Sequence, residues 1–267
     1  MTRIKRTAGL IGALALVVAV SVVGLALADG ATQGSVTQTL DATVSPSKKL
    51  PKKDTKKVDP KGVKLNVAVG IRDSSGLKPP PATQVDIDLS KDLTFTTKGL
   101  SQCDQNAIAT SPTAAAKSTC KKAIVGEGSA SATCSGNTNP PDIPDVTVTA
   151  FNGKQQGKNP VLLLHTYASL GGTDQIQILP GVLVKSSGDF GKTLKVTVPP
   201  LAGGACSIID FETTVGTTFK SKGETFNYVG ATCGNGEMKF GSEFTYVANS
   251  QGVNTLAPKD TVACTSK

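Results

Sequence analysis

His165 is the single histidine of the chain and stands in Val161-Leu162-Leu163-Leu164-His165-Thr166-Tyr167. A serine hydrolase would have to use it as the general base, because no second imidazole exists. No Gly-x-Ser-x-Gly elbow accompanies it, and it follows an apolar run. It therefore reads as a half-buried structural histidine. One imidazole also fails to supply a two- or three-histidine metal set, so no metal centre is expected.

Carboxylates give the next candidates. Asp86-Ile87-Asp88-Leu89-Ser90-Lys91-Asp92 has the alternating acids of a calcium loop but lacks the central glycine and the distal glutamate. The interposed Ile87 and Leu89 point instead to a strand with a polar outer face. Asp210 and Glu212 fall on one face of a single strand, and a secreted hydrolase whose carboxylates are brought together by the fold would draw on such a pair. Gly126-Glu127-Gly128-Ser129-Ala130-Ser131-Ala132 lacks the Gly-Lys-Ser/Thr ending of a phosphate loop and reads as a strand with small residues. No cofactor or catalytic residue is assigned. Sugar binding is disfavoured because the chain has no Trp and 3 Tyr on which to stack a ring.

The six cysteines carry a clearer signal. Cys103, Cys120, Cys134, Cys206, Cys233 and Cys264 are even in number and form no Cys-x-x-Cys motif, which points to three disulfides rather than zinc or redox chemistry. Six cysteines allow 15 pairings. Short loops favour Cys103–Cys120 and Cys233–Cys264, leaving Cys134 for Cys206.

Disulfides require an oxidising compartment, and the N-terminus supplies a route to one. Arg3, Lys5 and Arg6 precede an uncharged stretch from Ala8 to Ala28 that ends in Ala26-Leu27-Ala28, the small-x-small pattern of a signal cleavage site. Residues 1–28 are read as a cleaved signal peptide. The stretch is also long enough, at about 1.5 Å per residue, to remain as a single-pass anchor, which is the alternative.

The formal charge of +8 suggests nucleic acid until it is divided along the chain. Residues 48–64 hold eight lysines, and from residue 65 onward 17 Lys and Arg face 16 Asp and Glu, so the body is nearly neutral. No aromatic residue accompanies the basic segment, and nucleic-acid binding is not expected. Residues 29–62, rich in Thr, Ser, Lys, Pro and Asp, read as a disordered spacer whose lysines could contact anionic cell-envelope polymers.

The elements that must position any site begin at Val63. Val63, Leu65, Val67, Val69 and Ile71 alternate with small or polar residues, and Val85, Ile87 and Leu89 do the same. Further alternating stretches span 123–134, 145–151, 161–168, 176–184, 193–198, 207–215, 225–233 and 237–248, separated by Gly- and Pro-bearing turns. Gln105 to Lys117 is the one stretch suited to a short helix. The expected fold is an all-β, disulfide-bonded antiparallel β-sandwich of about ten strands over 63–267, in one unit or two subdomains. With no Trp and few aromatics, its core must be aliphatic.

Gly99-Leu100-Ser101-Gln102-Cys103, Cys120, Val125-Gly126-Glu127-Gly128-Ser129-Ala130, Ala150-Phe151-Asn152-Gly153, Leu162-Leu163-Leu164-His165, Val196-Thr197-Val198-Pro199 and Tyr228-Val229-Gly230-Ala231-Thr232-Cys233 together resemble a group of secreted actinobacterial proteins. The resemblance implies an exported β-rich module and supplies no activity. The resulting expectation is an exported, non-catalytic protein of the cell envelope or extracellular medium with a binding or structural role.

Overall fold

Alternation of apolar and polar residues forces each strand to bury one face, and the chain meets that demand by curling one sheet on itself. The computed structural model describes residues 30–53, 58–170 and 173–266. The expected signal segment lies outside the described residues. In chain order the first strands are β1 (Ala31–Gln33), β2 (Val36–Ser45), β3 (Lys61–Gly62), β4 (Lys64–Asp73), β5 (Ala82–Ser90) and β6 (Leu93–Phe95). Two short helices follow, α1 (Gln105–Ile108) and α2 (Thr113–Thr119), and then β7 (Ile124–Thr133), β8 (Ile143–Asn152), β9 (Val161–Leu170) and β10 (Thr173–Lys185). The remainder is β11 (Phe190–Thr197), β12 (Ser207–Val215), β13 (Thr218–Ser221), β14 (Glu224–Asn227), β15 (Val229–Ala231), β16 (Glu237–Tyr246), β17 (Thr255–Leu256) and β18 (Lys259–Ala263).

A single antiparallel sheet runs in the order β1-β2-β4-β12-β7-β8-β9-β10-β11-β5-β16-β17, with β18 also paired to β16. Since β17 and β18 share one edge of β16, the sheet makes a nearly closed barrel of 12 strands. Its two ends meet at a seam of side-chain bonds. The Ala42 amide of β2 donates to Asp260 Oδ2 of β18 at 2.6 Å, and the Tyr246 hydroxyl of β16 donates to Gln38 Oε1 of β2 at 2.6 Å. The expected sandwich is thus corrected to a barrel. Alternation specifies one buried face per strand, but it does not say whether a second sheet or the same sheet covers it.

The spacer expected over 29–62 is also corrected. Val36, Gln38, Leu40, Ala42 and Val44 of β2 are buried and face inward, in register with Ile71, Val69, Val67 and Leu65 of β4. Their outward-facing neighbours are Thr, Asp and Ser, which is why composition conceals a strand with a clean period of two. Farther along, Leu50 is fully buried and its amide donates to the Thr265 carbonyl at 2.9 Å, while Lys53 pairs with the buried Asp92 at 3.5 Å. The described part of the basic segment therefore lies along the barrel.

Glycines allow the tight curvature between β7 and β12. Gly126 and Gly128 stand opposite Val215 and Thr213, and a Cβ on Gly128 would fall 1.9 Å from the Glu212 carbonyl oxygen. The small residues of the notional phosphate loop are thus a place where two backbones approach closely. A bulge in β12 between Ile208 and Asp210 adds to the bend.

Three disulfides join Cys103 to Cys120, Cys134 to Cys206 and Cys233 to Cys264. They mark an oxidising compartment outside the cytoplasm. Next to Cys134, the Asp142 carboxylate accepts from the amides of Ser135 and Cys134 and from the hydroxyls of Thr133 and Ser135, closing the turn from β7 to β8. Those bonds, with the Ser135 amide first, hold the Asp142 carboxyl well below the usual carboxylate range. Because the folded value is lowered, the stabilisation is complete above the unfolded value of about 3.9 and is lost as pH falls toward the folded one. The thermal midpoint should therefore fall more steeply with acid in the native chain than in Asp142→Ala. Equal acid dependence of the two midpoints would remove Asp142 as the clamp of this turn.

Candidate functional site

A barrel of eight strands is just wide enough for its side chains to fill, and a larger one leaves space. Here 12 strands enclose an inner face built mainly from Val, Leu, Ile, Ala and Gly, without a tryptophan. The consequence is an internal cavity of about 140 Å³. Leu65, Val67, Val69 and Ile71 of β4 line it, joined by Val85, Ile87 and Leu89 of β5 and by Leu194 and Val196 of β11. Leu162 and Leu164 of β9, Leu179 and Leu183 of β10, and Phe244 and Tyr246 of β16 complete the wall. Val67, Val69, Val85, Leu194 and Phe211 point inward yet are only half-buried, which shows that the lumen is open between them.

The two ends differ. At one, Phe95 and Tyr228 meet edge to face with ring centroids 6.0 Å apart, and both line the cavity near Leu65 and Val215. They are held by a separate small sheet of β3, β15 and β6. At the other end, Pro80, Pro81, Pro199 and Leu201 line the cavity from the segments before β5 and after β11. The exposed strap from Pro199 to Ala205 is tied down by Lys78, whose Nζ donates to the Ala205 carbonyl at 2.7 Å, and by the Cys134–Cys206 disulfide.

Few polar groups reach the lumen. Gln38 accepts from Tyr246 and donates to the Gly70 carbonyl at 2.9 Å, so both buried partners are satisfied. Burial pushes the phenols of Tyr246 and Tyr228 up from their ordinary range, and both remain protonated at neutral pH. Among the described residues, charged side chains other than Asp210 stand outside the lumen. Arg72 grips Asp210 through two bonds of 2.7 and 3.0 Å, Lys195 pairs with Asp86, and Lys239 meets Asp189 at 3.2 Å. An outer-membrane barrel has an apolar exterior and a polar interior, and this arrangement is the reverse. Among the described residues, no helix is long and apolar enough to cross a membrane.

The residues singled out in the sequence do not converge on the lumen. His165 is completely buried, deeper than expected, on the outward side of β9 beneath α1 and α2. Its Nε2 donates to the Ser111 carbonyl at 2.8 Å, while Nδ1 and the Thr149 hydroxyl beside it have no partner among the described residues. Phe151 packs edge-on against the ring at 6.5 Å. Among the described residues no carboxylate is hydrogen-bonded to this imidazole, as a catalytic triad would require.

Asp210 and Glu212 do share a strand, but each has its own partner. Asp210 is held by Arg72 and by the Ser131 hydroxyl at 3.0 Å, and Glu212 accepts from the Asn66 amide at 2.7 Å. Asp86 and Asp88 occupy the outer side of β5, engaged by Lys195 and Thr193, whereas Asp92 is buried and accepts from Thr232 and the Gly234 amide. The calcium-like spacing is thus dispersed, and among the described residues no cluster of His, Cys, Asp or Glu is arranged to hold a metal.

The lumen itself was not legible as a site, because no motif marks it. Its one sequence trace is the aromatic-poor composition, which was expected to leave an aliphatic core and instead leaves a space. Fold and site together define a disulfide-bonded antiparallel β-barrel with an apolar lumen and a polar exterior. No protein-family model, curated protein or solved structure matches the chain.

Proposed function

We propose that the chain is an exported, non-catalytic binding protein of the cell envelope or extracellular medium that holds a small apolar molecule inside its barrel. One observation carries this reading: a cavity of about 140 Å³ with an almost wholly hydrocarbon lining. A dry cavity of about 150 Å³ lined by Leu, Ile and Phe takes up benzene, so this volume suits a ring or a short alkyl segment. An unfilled core also sacrifices dispersion contacts, a cost that a carrier incurs for function. Export draws support from the disulfides, the signal-like N-terminus and the resemblance to secreted actinobacterial proteins. The exposed Lys48, Lys49, Lys52 and Lys53 offer contacts to anionic envelope polymers.

The test is titration with indole, an uncharged fluorophore small enough for the cavity, whose emission shifts to the blue in apolar surroundings and which no Trp of the chain obscures. The native protein should bind it saturably at one site. A Val67→Phe/Val85→Phe double variant, which adds two rings to the lumen, should remain folded and lose at least about tenfold in affinity. Undiminished binding to the folded double variant would move the site elsewhere, and absent binding to the native protein would remove the function.

A further inference from the structure

Beside the main cavity lies a smaller one of about 40 Å³. Leu179, Leu201, Ile208 and Phe211 line both, so these four side chains form the partition between them. Phe211 is only half-buried, and Leu201 belongs to the exposed strap. The partition therefore stands next to the exposed mouth of the barrel rather than deep in its core.

Both compartments are mostly hydrocarbon, and they differ in the polar side chains that border them. In the main cavity the lining is hydrocarbon apart from Gln38, Thr213, the Tyr246 and Tyr228 hydroxyls and Asp210, which is already neutralised by Arg72. The smaller one is lined by Ser131, Thr166, Gln175 and Gln177 among Ala, Val and Ile side chains. Register places Gln177 opposite Thr166 and Gln175 opposite Ala168, on the same inner face as Leu179. Burial leaves Gln175 exposed and Gln177 half-buried. A primary amide both donates and accepts hydrogen bonds, and it carries no charge.

We infer that the lumen takes an uncharged amphiphile, with its hydrocarbon part in the main cavity and a hydroxyl, ester or amide end against Gln175 and Gln177. Among the described residues no Lys or Arg lines either cavity, so a carboxylate would enter without a counter-ion. The lone Asp210 is occupied by Arg72 and is unavailable to an ammonium. An ion removed from water without a partner is strongly disfavoured, whereas a neutral polar end regains its hydrogen bonds from the two amides. The ligand class is therefore that of short- to medium-chain alcohols, esters and amides, as opposed to carboxylate anions or cationic amphiphiles of the same length.

This inference rests on the lumen being the binding site, and the experiment separates the two. 1-Octanol, octanoate and octylammonium, which share one chain and differ in the head, compete at neutral pH against bound indole. 1-Octanol should displace the probe at concentrations about tenfold or more below those needed of either ion, in keeping with the loss of one unpaired charge. Gln175→Leu/Gln177→Leu should weaken 1-octanol several-fold more than it weakens the probe. Octanoate or octylammonium binding as tightly as 1-octanol, or a double variant that binds all three as before, would overturn the neutral-head assignment and leave the lumen reading intact. A probe that does not bind the native protein would overturn both.

Discussion

Replacing Gly128 by Val should prevent the barrel from closing and give a protein without a cooperative thermal transition, or one destabilised by about 3 kcal/mol or more. The reason is backbone contact rather than side-chain crowding. A Cβ at this position would lie 1.9 Å from the Glu212 carbonyl oxygen and 2.7 Å from the Thr213 Cα, and neither can move without dragging β12 along. Because β12 joins β4 to β7, its displacement opens the ladder in the middle of the sheet. Ser129, the next residue along β7, is exposed, so Ser129→Val tests whether a β-branched residue in this strand is harmful in itself. That control should stay within about 0.5 kcal/mol of the native protein. A Gly128→Val protein with a native midpoint would show that the strands are not in close approach here.

Reduction should have an effect of similar size. On the chain-entropy account, a link across 17 residues contributes about 3 kcal/mol, and links across 72 and 31 residues about 4 kcal/mol each. Together they rival the typical 5 to 15 kcal/mol of net stability of a domain, approximately, and the aliphatic core here is hollow as well. Verified reduction should therefore lower the thermal midpoint steeply. Among single links, a Cys134→Ser/Cys206→Ser variant should lose the most, since that link closes the longest loop and fastens the strap to the turn held by Asp142. A midpoint indifferent to reduction, or free thiols in protein isolated under oxidising conditions, would contradict the disulfide account.

What could be read from the sequence follows from what a period of two contains. Val63 to Ile71, Val85 to Leu89 and the later alternating stretches correspond to β4, β5 and the strands from β7 to β16, and Gln105 to Lys117 holds α1 and most of α2. Short loops favoured the Cys103–Cys120 and Cys233–Cys264 links, which the structure contains. Closure was not legible, because the same alternation serves a sandwich and a barrel. Neither was β2, where Thr, Ser and Asp on the outer face outweigh the alternating Val36, Leu40, Ala42 and Val44 in any compositional reading. The site was hidden for a further reason. Its lining comes from β4, β5, β9, β10, β11, β12 and β16, each giving ordinary aliphatic residues, and a cavity is a property of their spacing around 12 strands rather than of any one segment. His165, which drew attention as the sole imidazole, serves instead to join β9 to the loop between α1 and α2 through Ser111.

The central claim is that the lumen is a binding site, and the most direct measurement locates the bound molecule. A crystal structure of the protein saturated with indole should show the ligand inside the barrel, in contact with Val67, Val85, Leu194 and Phe211, with the strap from Pro199 to Ala205 displaced or reordered around it. Density for the probe only on the outer wall, with the lumen filled by ordered water or closed by collapsed side chains, would contradict the account.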